Sequence, residues 1–453
     1  MIKRTVLMLI VGLSLAEHAV SESDRTNMFP LVRQVVIEKG SLPDPKTIVR
    51  MNNGSYVIAG RMGIDKAAWA TEIDAAGTVR WRYLLPSPNP EVGGGLPDFT
   101  GAVGTRSGDV LLCGTISLGK PQKPQINGLL VQLDNAGKLV KEQFITPPDT
   151  ENEYSHIAYL DDCIAWRDGT ALIGRVTRYL PDGGQRSEYH WIVAVDADGA
   201  IKWQTLIPSK GGGVPGQVRR MPDDSLIITD TETIRVDAHG NLQARATVTG
   251  FLRLVQPLDP QAEPQLFDCY GGKTRGRLLQ LTGDLQVSME LALSASDGYM
   301  CGPHQYPAQV FSLADGSIIL FGHRFEEGLN TPGAVKWSPP LKTAAARSFT
   351  VPPAPWFNAA TPSGKPGEFA TIRVTGFPTV PDRERATYLS FVDAGFEVRT
   401  SGNGTDNAVN APSLTLSTQA AGPRATASQI GRLLTLPLFH ESHNRGNQAA
   451  CPC

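Results

Sequence analysis

Apolar and polar residues alternate along this chain in short runs, and the runs are separated by turns of Asp, Asn and Gly. Thr47-Ile48-Val49-Arg50-Met51 leads into Asn52-Asn53-Gly54 and then Tyr56-Val57-Ile58-Ala59-Gly60. Ala67 to Ile73 then faces Val79 to Leu84 across Asp74-Ala75-Ala76-Gly77. Period-two runs joined by Asn-Gly or Asp-Gly predict antiparallel hairpins. The pattern recurs. The phrase of an apolar residue, Asp, two small or polar residues and Gly stands at Ile73–Gly77, Leu133–Gly137, Val195–Gly199 and Val236–Gly240. Its aspartates are separated by roughly 40 to 60 residues, which fits a four-stranded propeller blade and is too long for a leucine-rich repeat. The expected fold is therefore all-β, a β-propeller of four-stranded antiparallel blades.

The hairpin that opens each unit recurs before Val110-Leu111-Leu112, Ala171-Leu172-Ile173, Leu226-Ile227-Ile228 and Ile318-Ile319-Leu320. Weaker copies of the second hairpin stand at Leu281–Leu285 and Val392–Phe396. Units are expected near 47–86, 100–146, 157–207, 216–248, 252–293, 307–350 and 368–400. That makes seven blades, with six or eight left open by the weak fifth and sixth units. Leu31 to Glu38 predicts one more strand, placed to complete the last blade and close the ring without an unpaired edge. The propeller is thus expected over 30–400. Thr331 to Gly367, with its many prolines, is expected to be loop or extended chain. Residues 401–453, rich in Ser, Thr, Ala and Asn, form a tail in which only Ile430–Phe439 has the pattern of a strand.

The best-preserved second hairpins run Trp69 to Trp81 and Trp191 to Trp203, each with the aspartate-glycine turn followed by an apolar residue and a tryptophan. They resemble the repeat of the pyrroloquinoline-quinone-like propeller family. The resemblance covers four units well, about half of the chain beyond the leader. It implies a propeller, in which Trp69, Trp81, Trp191 and Trp203 pack one blade on its neighbour. It does not choose an activity, because the family holds quinoprotein dehydrogenases as well as envelope scaffolds without a cofactor. The dehydrogenases carry a disulfide between adjacent cysteines beside the cofactor, and no two cysteines are adjacent here.

Composition adds the compartment. With 42 basic and 44 acidic residues the net charge is −2, which favours neither nucleic acid nor an anionic membrane as partner. Lys3 and Arg4, the apolar run Val6–Leu13 and the small residues before Ser21 have the layout of a signal peptide over 1–21. Periplasmic or secreted localisation follows, with no membrane insertion after cleavage. Export makes disulfides the expected state of paired cysteines. Cys113 with Cys163 and Cys269 with Cys301 are the candidate pairs, each linking neighbouring units; Cys451 and Cys453 lie in the tail. For Cys113, a buried free thiol is the competing expectation.

Chemistry is harder to find. Asp196 and Asp198 resemble part of a calcium loop, yet the other repeats put Ala76, Ala136 and His239 at the second position, so both aspartates are assigned to the turn. His156 stands near Asp161 and Asp162 in sequence, and a surface loop explains the group better than acid–base chemistry. His190, His304 and His323 have no metal-ligand spacing, and Gly93–Gly95 and Gly211–Gly213 follow no strand-to-helix pattern. No catalytic residue, cofactor or metal site is assigned. The expectation is a non-enzymatic propeller that binds a protein partner, as a scaffold or a toxin-neutralising immunity protein. The alternative is an enzyme acting on a sugar or alcohol in the axial funnel. Pro86–Thr100, Ser117–Asn127, Arg178–Tyr189 and Thr331–Gly367 are the insertions expected to carry specificity.

Overall fold

The structure is a computed structural model and describes residues 31–394, except 40–42, 63–66, 89–96, 119–125, 149–154, 180–185, 211–215, 231, 247, 249–251, 260, 269–276, 294–298, 301–308, 327–328, 340–342, 349–354 and 376–385. The expected signal peptide, the tail 401–453, Cys269, Cys301, Cys451, Cys453 and His304 lie outside the described residues. Among the described residues there are twenty-nine strands and no helix. β1 (Leu31–Lys39) is the opening strand.

Seven four-stranded meanders follow in chain order. The first is β2 (Pro43–Arg50), β3 (Tyr56–Met62), β4 (Ala67–Ile73) and β5 (Val79–Pro86). The second is β6 (Asp98–Gly104), β7 (Val110–Ser117), β8 (Ile126–Leu133) and β9 (Leu139–Ile145). The third is β10 (Ser155–Trp166), β11 (Gly169–Tyr179), β12 (Arg186–Val195) and β13 (Ile201–Pro208). The fourth is β14 (Gln217–Arg220), β15 (Leu226–Thr229), β16 (Thr233–Val236) and β17 (Leu242–Arg245). The fifth is β18 (Leu252–Pro257), β19 (Gln265–Asp268), β20 (Arg277–Leu281) and β21 (Val287–Ala292). After the two-residue β22 (Tyr299–Met300) the sixth is β23 (Gln309–Ser312), β24 (Ile318–Glu326), β25 (Leu329–Ser338) and β26 (Thr343–Ser348). The seventh is β27 (Pro355–Pro362), β28 (Glu368–Thr375) and β29 (Ala386–Asp393), completed from outside by β1.

The pairing of β1 with β29, from Leu31↔Val392 to Lys39↔Ala386, joins the start of the chain to its last blade. It removes the edge that an open array would leave. The fold is a closed β-propeller. Every core cluster lies between two consecutive blades. Val57, Trp81, Phe99 and Leu129 pack blade one on two; Phe311, Phe321, Phe357 and Phe369 pack six on seven; Ile37, Ile58, Trp69, Ile372 and Phe391 pack seven on one. Each sheet is therefore apolar on both sides, which accounts for strands such as Val110–Ser117 and Ile126–Leu133 that are buried along their whole length.

The expected loop over 331–367 is corrected: most of it is strand, in β25, β26 and β27. Pro332 lies one residue beyond the pairing with β26, so its missing N–H removes no bond there. Pro355 and Pro362 sit at the two ends of β27. The last blade accordingly begins at Pro355 rather than near 368.

The repeated phrase has one geometry. Asp74, Asp134, Asp196 and Asp237 each accept two backbone N–H bonds on Oδ1, from the residues two and four positions on, at 2.8–3.0 Å. The following glycines, Gly77, Gly137, Gly199 and Gly240, have φ between 71° and 94°. At Gly137 and Gly240 a second constraint applies, because a Cβ would enter the Trp81 ring and come within 2.6 Å of Trp203. The tryptophan on the outer strand of one blade thus docks on the turn glycine of the next. Trp191 packs the other way, its ring 2.9 Å from the Cβ position of Gly128 in blade two.

Candidate functional site at the loop face

An up-and-down meander places its first and third turns on one side of the ring and all other connections on the opposite side. Here the two sides differ. The turns 51–55, 74–78, 105–109, 134–138, 196–200, 221–225, 237–241, 282–286, 313–317 and 363–367 are each five residues long. The opposite connections vary from two residues at 327–328 to eleven at 87–97 and sixteen at 293–308, which includes β22, with 118–125, 146–154, 209–216, 269–276 and 376–385 between. On the turn face ten of thirteen turns have one length, with 167–168, 258–264 and 339–342 as the exceptions, and the other face is a set of unequal loops. Three expected insertions, 86–100, 117–127 and 178–189, fall on the loop face.

The loops are rooted in buried polar groups at the loop-face ends of the strands. The largest group joins blades three and four. His190 Nδ1 lies 3.1 Å from Asp230 Oδ2, and its Nε2 lies 3.0 Å from Glu232 Oε1. Arg245 donates to the other oxygen of Glu232 at 2.6 Å and to the Pro208 carbonyl at 2.7 Å, and the Lys210 amide donates to Glu232 at 3.1 Å. Burial by itself would lower the His190 pKa, but bonds from both carboxylates outweigh it and lift the imidazole to about 9. Burial likewise pushes Glu232 upward, and His190, Arg245 and the Lys210 amide overcome it, holding the carboxyl near 2. A charged, internally paired bracket results.

Similar braces stand elsewhere on this face. His156 Nε2 lies 3.0 Å from Asn127 Oδ1, tying blade three to two. Arg178 stacks over Tyr189 at 4.9 Å and donates to the Pro148 carbonyl at 2.6 Å. Asp44 bonds Lys46 at 2.7 Å and Arg61 at 3.2 Å. Beside them, burial drives Asp98 up to about 7 against the pull of Lys46 and Arg61.

Around the axis, inner-strand polar groups bond the next blade. Thr100 donates to the Leu160 carbonyl at 2.5 Å, the Gly216 amide donates to Asp161 at 3.3 Å, and the Leu254 amide donates to Gln217 at 2.9 Å. The Ala360 amide donates to Gln309, and Asn358 donates to the Pro45 carbonyl at 2.9 Å. Between blades five and six the inner strands pair directly, Val255 with Val310. This belt uses the carboxylate that the sequence placed near His156. Asp161 is bonded by Gly216 and Arg175, and Asp162 accepts from the Cys163 amide, while the bond from His156 goes to Asn127. Burial raises Asp161 to about 6 and Asp162 to about 7. Among the described residues no three His, Cys, Asp or Glu side chains are grouped to hold a metal ion.

Cys113 and Cys163 meet in the core between blades two and three, both buried and both free thiols, under Gly101. A Cβ at Gly101 would lie 2.6 Å from one sulfur and 3.0 Å from the other. The sequence offered these two as a disulfide pair, with a buried free thiol as the competing expectation for Cys113; in the structure both are free thiols. It gave no sign of the His190 bracket, whose members come from β12, the β13–β14 connection, the β15–β16 connection and β17 and share no local pattern.

No protein-family model matches the chain, and no curated protein matches it in sequence. Its fold is similar to several solved propellers. The Dos1 propeller is 9% identical with a TM-score of 0.44, covering 77% of this chain and 78% of its own. The hemagglutinin-neuraminidase of parainfluenza virus 5 is 9% identical with a TM-score of 0.43, covering 82% and 96%. Sqt1 from Chaetomium thermophilum is 12% identical with a TM-score of 0.40, covering 81% and 99%. At these identities and scores the likeness carries no ligand or activity to this chain.

Proposed function

We propose that this chain is an exported, non-enzymatic propeller of the pyrroloquinoline-quinone-like repeat type, and that its loop face binds another macromolecule, a protein. The observation that carries this reading is the inequality of the two faces. Ten of the thirteen turns on one side are five residues long, whereas connections from two to sixteen residues lie on the other, beside the pairs made by His190, Arg245, Arg178 and His156. Loops of unequal length carried on a rigid scaffold are where recognition surfaces are built. Several inner-strand polar groups, Thr100, Asp161, Gln217 and Gln309 among them, bond the next blade. An envelope scaffold and an immunity protein both fit this description.

The test is affinity capture of the mature protein from its native envelope, beside two variants. One has 87–97 replaced by a short Gly/Ser linker, and the other has the 134–138 turn exchanged for the 74–78 sequence. A stoichiometric protein partner retained by the turn variant and lost by the loop variant is the expected result. Capture of no partner, together with oxidation of a test alcohol when quinone and calcium are added, would overturn the reading in favour of an axial enzyme.

Export has a covalent corollary. Under this reading Cys113 and Cys163, buried and free in the folded ring, are oxidised while the chain folds in the exporting compartment, each thiol losing a proton and the pair giving two electrons to the disulfide of an exchange catalyst. The bond would staple blade two to three.

A further inference from the structure

The inner strand of a blade has an edge that faces the axis, and side chains of the preceding blade take up amides along it. Gln217 Oε1 accepts the Leu254 amide of blade five at 2.9 Å, and Gln309 Oε1 accepts the Ala360 amide of blade seven. Both acceptors are carboxamides, which keep one protonation state across ordinary pH. Between blades three and four the acceptors are carboxylates. Asp161 Oδ2 takes the Gly216 amide at 3.3 Å, and Asp162 takes the Cys163 amide at 2.8 Å together with the Val218 amide. Gly216 and Val218 stand two apart, so their N–H groups lie on the same edge of the strand.

A local irregularity brings two adjacent carboxylates to one neighbour. β10 pairs Leu160 with Gly174 and Asp162 with Ile173, which leaves Asp161 as the extra residue of a β-bulge. Consecutive side chains of a regular strand point to opposite faces; the bulge lets both reach blade four. β14 in turn is held to β15 over four residues only, Gln217 to Arg220. The Asp161 side chain is 5% exposed, with Arg175 Nε 3.4 Å from its Oδ2 and the Arg175 guanidinium stacked on Tyr159 at 4.8 Å. Asp230 of blade four and the Cys113 thiol of blade two also face the pair. His190 lies on that side too, but Asp230 and Glu232 engage both of its nitrogens. Arg175 is thus the cation that meets the bulge.

We propose that the Asp161–Asp162 bulge is a proton-operated latch, which holds the inner strand of blade four to blade three while a carboxyl is protonated and releases the Gly216 and Val218 amides when both are ionised. Two like charges side by side and out of water repel, and one of them is relieved by turning to solvent and leaving its amide. Burial raises Asp161 to about 6 and Asp162 to about 7, above the ordinary 3.8. The stability of the closed latch is therefore complete below pH 3.8 and is lost as pH rises through 6 and 7. The latch does not depend on the protein-binding reading of the loop face.

Hydrogen exchange of the full chain, resolved to single amides and corrected for intrinsic rate, tests this at pH 5 and pH 7.5. Gly216 and Val218 should be protected roughly tenfold more at the lower pH, relative to Leu254, whose glutamine acceptor does not titrate. That ratio also removes any change in the stability of the whole ring. The double variant Asp161→Asn with Asp162→Asn gives the seam neutral acceptors, and its ratios should be the same at both pH values. Asp162→Asn alone should do this for Val218, and it decides the matter if the double variant does not fold. The proposal fails if the wild-type ratios do not change between the two pH values, or if the variants keep the wild-type change.

Discussion

At the scale of single residues, the aspartate of each repeat is a backbone device. One carboxylate oxygen receives two amide bonds at Asp74, Asp134, Asp196 and Asp237, so the turn is closed by bonds local to it. Asp134→Ala should cost about 1–2 kcal/mol in urea unfolding, while Asp134→Asn, which keeps the acceptor, should cost well under half of that. Gly137→Ala meets two penalties, a left-handed φ of 77° and overlap with Trp81, and should cost about 2–4 kcal/mol. An equal change at Gly108, where φ is 91° and nothing lies within 4 Å of the Cβ position, isolates the conformational part, about 1 kcal/mol. For the thiols, intact mass before and after reduction is the measurement: protein taken from an oxidising compartment should gain two hydrogens for the Cys113–Cys163 pair, and Cys163→Ser should abolish that gain.

Asp98 supplies a titration. Its folded pKa of about 7 stands above the ordinary 3.8, so the stability that its neutral form brings is fully present below pH 3.8 and is lost as pH rises through 7. Asp98→Asn removes the loss and should exceed the wild type by roughly 2 kcal/mol at pH 8 while matching it at pH 4. Urea melts at the two values read this difference.

Among the strands and turns, the hairpins were legible because their signal is local: an aspartate, a glycine and two alternating runs within some fifteen residues. The strand at Leu31–Glu38 was legible for the same reason, and its pairing with β29 followed from the need to close an edge. The region 331–367 was misread because prolines were counted without their register; Pro332, Pro355 and Pro362 occupy places where a strand does not need their N–H. Removing residues 31–39 should strip blade seven of its outer strand and expose the edge of β29. Size-exclusion chromatography should then show self-association, and a peptide of residues 31–39 added in trans should reduce it.

Across the whole ring, the sequence declared its repeats and hid its braces. The belt at the axis and the His190 bracket are made by side chains from different blades, such as Gln217 with Leu254 or His190 with Glu232, and no spacing rule connects them. The bracket also shapes the response to alkali. The His190 pKa of about 9 lies above the ordinary 6.5, so its contribution is complete below pH 6.5 and disappears as pH passes 9. The Tm should fall across that window, and Glu232→Gln should flatten the fall while lowering the Tm at pH 6.

The seam between β1 and β29 has a mechanical consequence. Leu31 and Val392 face each other at the turn-face end of the pair, so the two described ends of the ring leave from neighbouring points on one side. A force that draws them apart loads the ladder one hydrogen bond at a time rather than all together, as a zip opens. A ring held by seven inter-blade cores is therefore compliant when pulled by its ends, and it opens first at its seam.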